Sequence, residues 1–147
     1  MQVRVKWVGN MTFLGKSGSG HAVVMDGPVE GSDAPLLGPR PMEMLLLGAG
    51  GCTSYDVVSI LRKARAQVRD CEVEVRAERA DSDPKVFTHI HLHFVVTGHA
   101  LKAELVQRAI HLSASKYCSA TIMLGKTAEI THDFEIVEDQ FDSQRTE

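Results

Sequence analysis

The chain has 147 residues, of which 44% are hydrophobic and 24% charged, and its net charge is −3. This length fits one domain with its own hydrophobic core, and the small acidic excess argues against a nucleic-acid partner. The sequence has no apolar run long enough for a membrane span, and MQVRVKWV lacks the apolar block of a signal peptide. We therefore expect a cytoplasmic protein without membrane contact, with a single domain over residues 1–138 and a frayed tail over 139–147.

The first predicted elements are three strands. In QVRVKWV, the apolar residues Val3, Val5 and Trp7 alternate with polar ones, which is the pattern of a half-buried strand. MTFLG and HAVVMDG are two further short apolar runs, separated by the glycine-rich turn KSGSG. Together they predict an antiparallel meander, and the proline-rich residues 27–41 that follow predict a loop or an extended crossover.

A long helix is predicted from Met42 to Arg69. Its first half, MEMLLLGA, is apolar around the whole circumference and must be covered on all sides. The helix would span roughly 40 Å at about 1.5 Å per residue, which is longer than a small domain is wide, so we expect a homodimer. Gly48, Gly50 and Gly51 favour close approach of another backbone. The alternative is a helix that breaks at these glycines and restarts at Thr53.

The second half of the chain alternates strands and helices. DCEVEVRAER and VFTHIHLHFVV predict a hairpin with DSDPK at its turn, and Cys71 lies on the apolar face of the first of these strands. LKAELVQRAIHLSASK is typical of an amphipathic helix, and AEITHDFEIV of a closing strand. The element order indicates an α+β fold with antiparallel sheets.

Two of the patterns that could carry chemistry have simpler interpretations. His89, His91 and His93 share one face of a strand, where a His-x-His pair can bind zinc. No further ligand is fixed by spacing, so we interpret them as a solvent-facing polar row and expect no metal site. The glycine-rich GKSGSG lacks the ordered arrangement of a phosphate-binding loop.

Three widely spaced cysteines show neither zinc-knuckle spacing nor the density of a disulfide-linked domain. Cys118 follows Lys116 and precedes SATIMLG, which predicts a position at the start of a short helix, where a thiol pKa is lowered. Cys52 lies in the apolar helix, where desolvation raises a thiol pKa unless a cation is brought near. From residue types alone, each is either a structural residue or part of a redox pair.

The arrangement PMEMLLLGAGGCTSYDVV, followed by a second helix and KYCSATIML, resembles the OsmC/Ohr family of osmotically inducible and organic hydroperoxide resistance proteins over essentially the whole chain. Within this family it is most similar to the YhfA-like branch of bacterial members. The resemblance implies an OsmC-like fold, in which sheets wrap two long central helices of an intertwined homodimer. The active sites would lie at the subunit interface.

The resemblance also implies a redox role for two of the cysteines. Cys52 would be the peroxidatic thiolate, which a peroxide oxidises to a sulfenic acid, and Cys118 would condense with it to form a disulfide. A dithiol reductant would reopen that disulfide. The family chemistry needs no metal or organic cofactor.

The chain departs from the family in the groups that activate the peroxidatic cysteine. Strongly active members use a glutamate early in the helix together with an arginine, and the matching glutamate position here is Met42. Glu43 lies one residue further, about 100° around a helix. The segment LGKSGSGH has no arginine, which leaves Lys16, His21 and Arg40 as candidate cations. Met42 and the leucines could line an apolar pocket.

Two functions follow from these observations. The first is a thiol-dependent peroxidase of the stress response, which reduces organic hydroperoxides and is weak where the activating groups differ. The second is a non-catalytic homodimer of the same fold, which binds a small apolar or thiol-containing ligand or senses redox state.

Overall fold

The computed structural model describes residues 1–139; all but the first residue of the predicted frayed tail lies outside them. The chain forms two compact units, Met1–Leu46 and the residues from Leu47 onward. The predicted α+β class is confirmed. The elements are β1 (Val3–Gly9), β2 (Thr12–Ser17), β3 (Ala22–Met25), α1 (Pro41–Lys63), β4 (Gln67–Arg79), β5 (Phe87–His99), α2 (Ala103–Leu112), a π-helical turn (Ser113–Tyr117), α3 (Ser119–Leu124) and β6 (Glu129–Glu138).

The first unit contains the predicted antiparallel meander, in the order β1, β2, β3. The carboxylate of Asp26 accepts hydrogen bonds from the Leu37 N–H at 2.9 Å, the Gly27 N–H at 2.9 Å and the Thr12 hydroxyl at 3.0 Å. These bonds, that from Leu37 first, hold the pKa of Asp26 below its usual value. They also fix the proline-rich loop to the end of the meander.

The apolar face of β1 is exposed in the single chain, which corrects the prediction of a half-buried strand. Val3, Val5 and Trp7 retain 66%, 57% and 63% of their accessible surface. A sheet buries one face only where a second layer covers it. The alternation along the sequence predicted the strand correctly. It could not predict whether another layer of protein covers the apolar face of that strand.

Helix α1 runs without a break from Pro41 to Lys63, so the alternative of a break at the glycines is wrong. It ends before the predicted Arg69 because the chain turns at Arg65, which has a φ of 59°. The Arg65 N–H donates to the Arg62 carbonyl at 2.9 Å and the Ala66 N–H to the Leu61 carbonyl at 3.0 Å. This pair of bonds is the Schellman motif, in which a left-handed residue terminates a helix.

The second sheet has the order β4, β5, β6. The predicted hairpin of β4 and β5 is confirmed as antiparallel. The expectation of purely antiparallel sheets is wrong for β6, which pairs with β5 in parallel, with Phe94 beside Phe134. The segment that connects β5 to β6 contains α2, the π-helical turn and α3, and a connection of that length can return the chain to the same end of a sheet.

The core of the second unit lies between this sheet and two helices. Alternate residues of β5, Ile90, Leu92, Phe94 and Val96, are fully or almost fully buried. The helices add Val57, Leu61, Val106, Ala109 and Ile110. Gly50 allows α1 to approach the sheet, because a Cβ at that position would lie 3.1 Å from Val75 Cγ2. Gly50 thus serves close packing against a side chain of the same chain, and the predicted approach of another backbone remains a prediction.

The opposite face of β5 carries the predicted polar row. His89, His91 and His93 keep about a third of their side-chain surface, 33%, 30% and 31%. They contact polar side chains of β6: His91 Nδ1 lies 2.8 Å from Thr131 Oγ1, and His93 Nδ1 lies 2.6 Å from Asp133 Oδ1. The row is thus a polar cross-strand ladder on the outer face of the sheet.

Helix α1 is long and apolar enough to cross a membrane by length and composition, with a window of mean hydropathy 1.4 that is 28% buried. The core helix of a soluble protein passes the same test, so the finding is weak evidence for a membrane span. Val57 and Leu61 of α1 lie in the core between helices and sheet, so one face of the helix packs against the rest of the second unit.

Candidate functional site

Helix α1 contributes two residues to one side of the candidate site. Cys52 and Asp56 are four residues apart in a continuous helix, so their side chains lie on the same face on consecutive turns. Thr53, next to Cys52, points into the protein and is 2% exposed. The buried apolar stripe of α1 holds this face against the rest of the second unit.

The other side of the site comes from the junction of α2 and α3. The π-helical turn begins at Ser113, which is fully buried, and Cys118 follows its end. The Cys118 N–H donates to the Ser113 carbonyl at 2.9 Å, and Cys118 is the N-cap of α3. The predicted position of Cys118 at the start of a short helix is confirmed. Single π-helical turns inside helical segments are frequent at functional sites.

The two thiols meet within the second unit. Cys52 and Cys118 lie 3.2 Å apart, and both are free cysteines. Cys52 is half-buried and Cys118 is buried. A carboxylate oxygen of Asp56 completes the group, because the two Sγ atoms and this oxygen all lie within 4.8 Å of one another. We call these three residues the thiol–carboxylate cluster.

Two buried hydroxyls orient the carboxylate. The Ser113 hydroxyl donates to Asp56 Oδ2 at 3.0 Å, and Thr53 Oγ1 lies 2.9 Å from Ser113 Oγ. A serine hydroxyl has one proton, and that of Ser113 points to Asp56, so the Thr53 hydroxyl donates to Ser113. The result is a chain of hydrogen bonds from Thr53 through Ser113 to Asp56.

Burial decides the pKa of the Cys118 thiol. Loss of solvent raises this pKa, hydrogen bonds from Thr121 lower it, and the neighbouring Cys52 raises it further. The Thr121 N–H donates to Cys118 Sγ at 3.5 Å, but the hydrogen bonds from Thr121 do not offset burial, which is the largest cause of the shift. The expectation of a lowered pKa at Cys118 is therefore wrong, because desolvation outweighs the position at a helix start.

Cys71 behaves as the predicted core residue. It is half-buried on β4 and packs against the hydrophobic core. Burial, and then the charge of Asp70, raise its pKa to about 11. Such a thiol stays protonated and unreactive at neutral pH.

The other predicted site residues belong to the first unit. Lys16 lies on β2, and His21 Nδ1 is 3.1 Å from Ser19 Oγ. Arg40, Met42 and Glu43 stand at the start of α1, where the Arg40 N–H donates to Glu43 Oε2 at 2.8 Å. This bond is one half of a capping box. Glu43 therefore helps to begin the helix, and none of the five residues is part of the thiol–carboxylate cluster.

Asp56, Ser113 and Thr53 were missed by sequence reasoning. The spacing of Cys52 and Asp56 could have placed both on one helical face. The sequence has no signal for Ser113, since its partners are 57 and 60 residues away along the chain.

Comparisons with known proteins agree with one another. A family model described as OsmC-like protein matches residues 31–133. Protein YhfA of Escherichia coli K12 is 56% identical over 137 residues, 93% of this chain and 98% of YhfA. A structure from structural genomics is 53% identical and covers 95% of this chain and all of its own, with a TM-score of 0.84. The organic hydroperoxide resistance protein OhrB of Bacillus subtilis is 15% identical, with a TM-score of 0.63 over 92% of this chain and 98% of OhrB, and it shares the fold.

Proposed function

The chain belongs to the OsmC family, and from this premise we propose that it is a thiol-dependent peroxidase that reduces organic hydroperoxides through Cys52 and Cys118. The observation that carries the proposal is the 3.2 Å approach of these two cysteines. OhrB, which has the same fold, is named for organic hydroperoxide resistance, and this supports the substrate class.

The surroundings of the two thiols support different roles. Cys52 is half-buried and therefore within reach of a small substrate, whereas Cys118 is buried and its pKa is raised. We assign Cys52 as the thiolate that attacks the peroxide and Cys118 as the thiol that resolves the product. A resolving thiol does not need to be ionised before the first step.

The reaction balances with one peroxide and one dithiol. The Cys52 thiolate attacks the terminal oxygen of the hydroperoxide, the O–O bond breaks, and the departing alkoxide takes a proton to become an alcohol. The Cys52 sulfenic acid then condenses with the Cys118 thiol, with loss of water, to form a disulfide. An external dithiol reduces this disulfide by thiol–disulfide exchange and restores both thiols.

Activation of Cys52 is the step in which this chain departs from its family. We propose that a cation promotes the thiolate, and Lys16, His21 and Arg40 remain the candidates that the sequence offers. Glu43 does not simply replace the family glutamate, because its carboxylate accepts the Arg40 N–H at the start of α1, and Met42 remains a predicted pocket residue. Lysine and histidine lack the planar fork of arginine, so slower chemistry is expected than with a bidentate arginine.

We also propose that the protein works as a cytoplasmic homodimer. Large apolar side chains are exposed in the single chain, among them Trp7 at 63%, Leu47 at 59% and Tyr55 at 76%. A groove of about 530 Å³ runs along α1 beside Gly51 and Tyr55. A Cβ built at Gly48 or Gly51 meets nothing within 4 Å. Such a surface suits the close approach of a second copy of the chain. A second copy that covers α1 would shield its apolar side chains from water without a membrane.

Mass spectrometry of the reduced protein after one equivalent of cumene hydroperoxide tests the peroxidase proposal. We expect a Cys52–Cys118 disulfide in the unmodified protein and in Cys71→Ser, the matched control. Cys118→Ser should accumulate a sulfenic acid at Cys52, which a dimedone-type reagent traps, and Cys52→Ser should react far more slowly. Thiols that remain unchanged would contradict the proposal and favour the non-catalytic ligand-binding or redox-sensing dimer.

A further inference from the structure

The proposed peroxide chemistry gives no task to Asp56. This carboxylate is nevertheless oriented by a buried hydroxyl pair and directed to two thiols, with the three ligand atoms within 4.8 Å of one another. None of the ion pairs formed within residues 1–139 involves Asp56. Orientation of a half-buried carboxylate towards sulfur needs a physical reason.

The negative charges that these three groups would carry give such a reason. If all three groups were ionised, three negative charges would share a space a few ångströms wide, and like charges at such separations disfavour ionisation. A bound divalent cation reverses this effect, because it attracts each ligand and deprotonates coordinated thiols outright. We propose that Cys52, Asp56 and Cys118 form a binding site for a thiophilic divalent cation, and that Zn²⁺ is the ion that fits it.

The donor atoms select the ion. Thiolates suit Zn²⁺, Cu⁺ and iron–sulfur clusters, whereas Mg²⁺ and Ca²⁺ require oxygen ligands. The carboxylate oxygen favours the borderline Zn²⁺ over the softer Cu⁺. Zn²⁺ prefers four ligands in a tetrahedron, and sites with three protein ligands leave the fourth position to water. Ligand atoms within 4.8 Å of one another can close around such an ion by small side-chain rotations.

The surrounding hydrogen bonds match those of metal sites. Carboxylates that bind metals are usually themselves hydrogen-bonded by a second set of residues, and Ser113 donates to Asp56 Oδ2 at 3.0 Å. The Thr121 N–H contacts Cys118 Sγ at 3.5 Å and would stabilise a thiolate there. Binding releases the two thiol protons to solvent, so the affinity should rise with pH.

Metal binding and disulfide formation exclude each other, because both use the same two sulfur atoms. A bound Zn²⁺ would keep Cys52 and Cys118 reduced. A two-electron oxidant such as a hydroperoxide, which takes one electron from each thiolate as the S–S bond forms, would release the ion. The site would therefore couple zinc occupancy to redox state. This inference goes beyond the proposed peroxidase function, and its test contains no peroxide.

The experiment titrates the reduced, metal-free, full-length protein with Zn²⁺ under anaerobic conditions against a chromophoric chelator. We expect one Zn²⁺ per chain. Co²⁺ in place of Zn²⁺ should produce the thiolate-to-metal charge-transfer absorption and the intense visible bands of a tetrahedral site. Prior oxidation to the Cys52–Cys118 disulfide with diamide, which takes up the two electrons and two protons of the thiols, should abolish both signals.

Variants separate this site from incidental thiol binding. Asp56→Asn should weaken Zn²⁺ binding by more than about tenfold, and Ser113→Ala by about tenfold, as outer groups of metal sites commonly do. Cys71→Ser should bind as the unmodified protein does. Circular dichroism of each variant would establish that it is folded.

Three outcomes would overturn the proposal: binding below one Zn²⁺ per chain at micromolar protein, a folded Asp56→Asn with unchanged affinity, or loss of binding in Cys71→Ser. A protein that binds Zn²⁺ but does not react with cumene hydroperoxide would contradict the peroxidase function alone. A protein that reacts with the peroxide but binds no Zn²⁺ would contradict this inference alone.

Discussion

Three cysteines of one chain lie in three different environments. Cys71 packs against the core with a pKa raised to about 11, Cys118 is buried at a helix start, and Cys52 is half-buried beside Cys118. The thiol at a helix start has a raised pKa because desolvation outweighs the hydrogen bonds from Thr121. At the residue scale, the immediate solvent exposure matters more than the position in an element.

The histidine row gives a prediction about pH at the same scale. The hydrogen bond with Asp133 raises the pKa of His93, and the same bond lowers the pKa of Asp133. The His93 contribution to stability is complete below the unfolded histidine pKa of about 6.5 and is lost as pH rises through the raised value. The Asp133 contribution is present above the unfolded aspartate pKa of about 3.9 and is lost as pH falls through the lowered value.

The pair should therefore stabilise the protein most in mildly acidic solution. We expect Asp133→Asn to reduce the urea midpoint more at about pH 5.5 than at about pH 8.5, on either side of the histidine pKa. Burial lowers the pKa of His132 and the charge of Asp133 raises it, so Asp133→Asn also removes support for protonated His132 and adds to the loss at the lower pH. Asp81→Asn, in the turn between β4 and β5, is the control. An equal loss at the two pH values would contradict the prediction.

At the scale of elements, the ends of helices and the direction of strands are the features that sequence patterns predicted least well. Arg65 adopts a φ of 59°, in the left-handed region that glycine prefers, and ends α1 before the predicted residue. Strand β6 pairs in parallel with β5, although its alternation alone is compatible with either direction. The end of α1 and the direction of β6 both depend on the path of the neighbouring segments in the folded protein.

The helix end leads to a stability prediction. Arg65→Gly should raise the free energy of unfolding by about 1 kcal/mol, because the left-handed conformation costs an L-residue about 1–2 kcal/mol and the greater freedom of unfolded glycine offsets part of the gain. Thermal or urea unfolding would measure it.

Arg62→Gly is the matched control, since it removes the same side chain from a residue inside the helix. It should lower stability by about 1 kcal/mol. A loss of stability in Arg65→Gly would show that the Arg65 side chain contributes more than its backbone conformation costs.

At the scale of the whole molecule, the exposed apolar side chains indicate what a single chain leaves uncovered. Leu47 on α1 and Trp7 on β1 are 59% and 63% exposed, and burial of such side chains is worth about 1.5–3 kcal/mol each. A chain that leaves them in water loses this stabilisation. Association of two copies, as proposed above, would recover this stabilisation. The glycines on α1 agree with the proposal, because they leave room for a second copy to approach.

We expect Leu47→Glu to weaken the homodimer at least about tenfold, because a symmetric interface carries the change twice and loses about 1.5–3 kcal/mol per leucine. Sedimentation velocity over a range of concentrations would measure the shift towards monomer. Val86→Glu, on the loop before β5, replaces another exposed apolar residue, 39% exposed, and should leave association unchanged. An unmodified protein that sediments as a monomer would contradict the homodimer itself.

The sequence by itself determined the α+β class and most of the elements, because alternation and helical periodicity are local properties. The pairing of Cys52 with Cys118 was predicted only through the family resemblance. Tertiary structure alone decided the parallel direction of β6, the raised pKa of Cys118 and the meeting of Asp56 with both thiols. Ser113 reaches Asp56 across 57 residues of sequence. Contacts of that separation and the loss of solvent around them arise only when α1 packs against the junction of α2 and α3, and no local pattern records that packing.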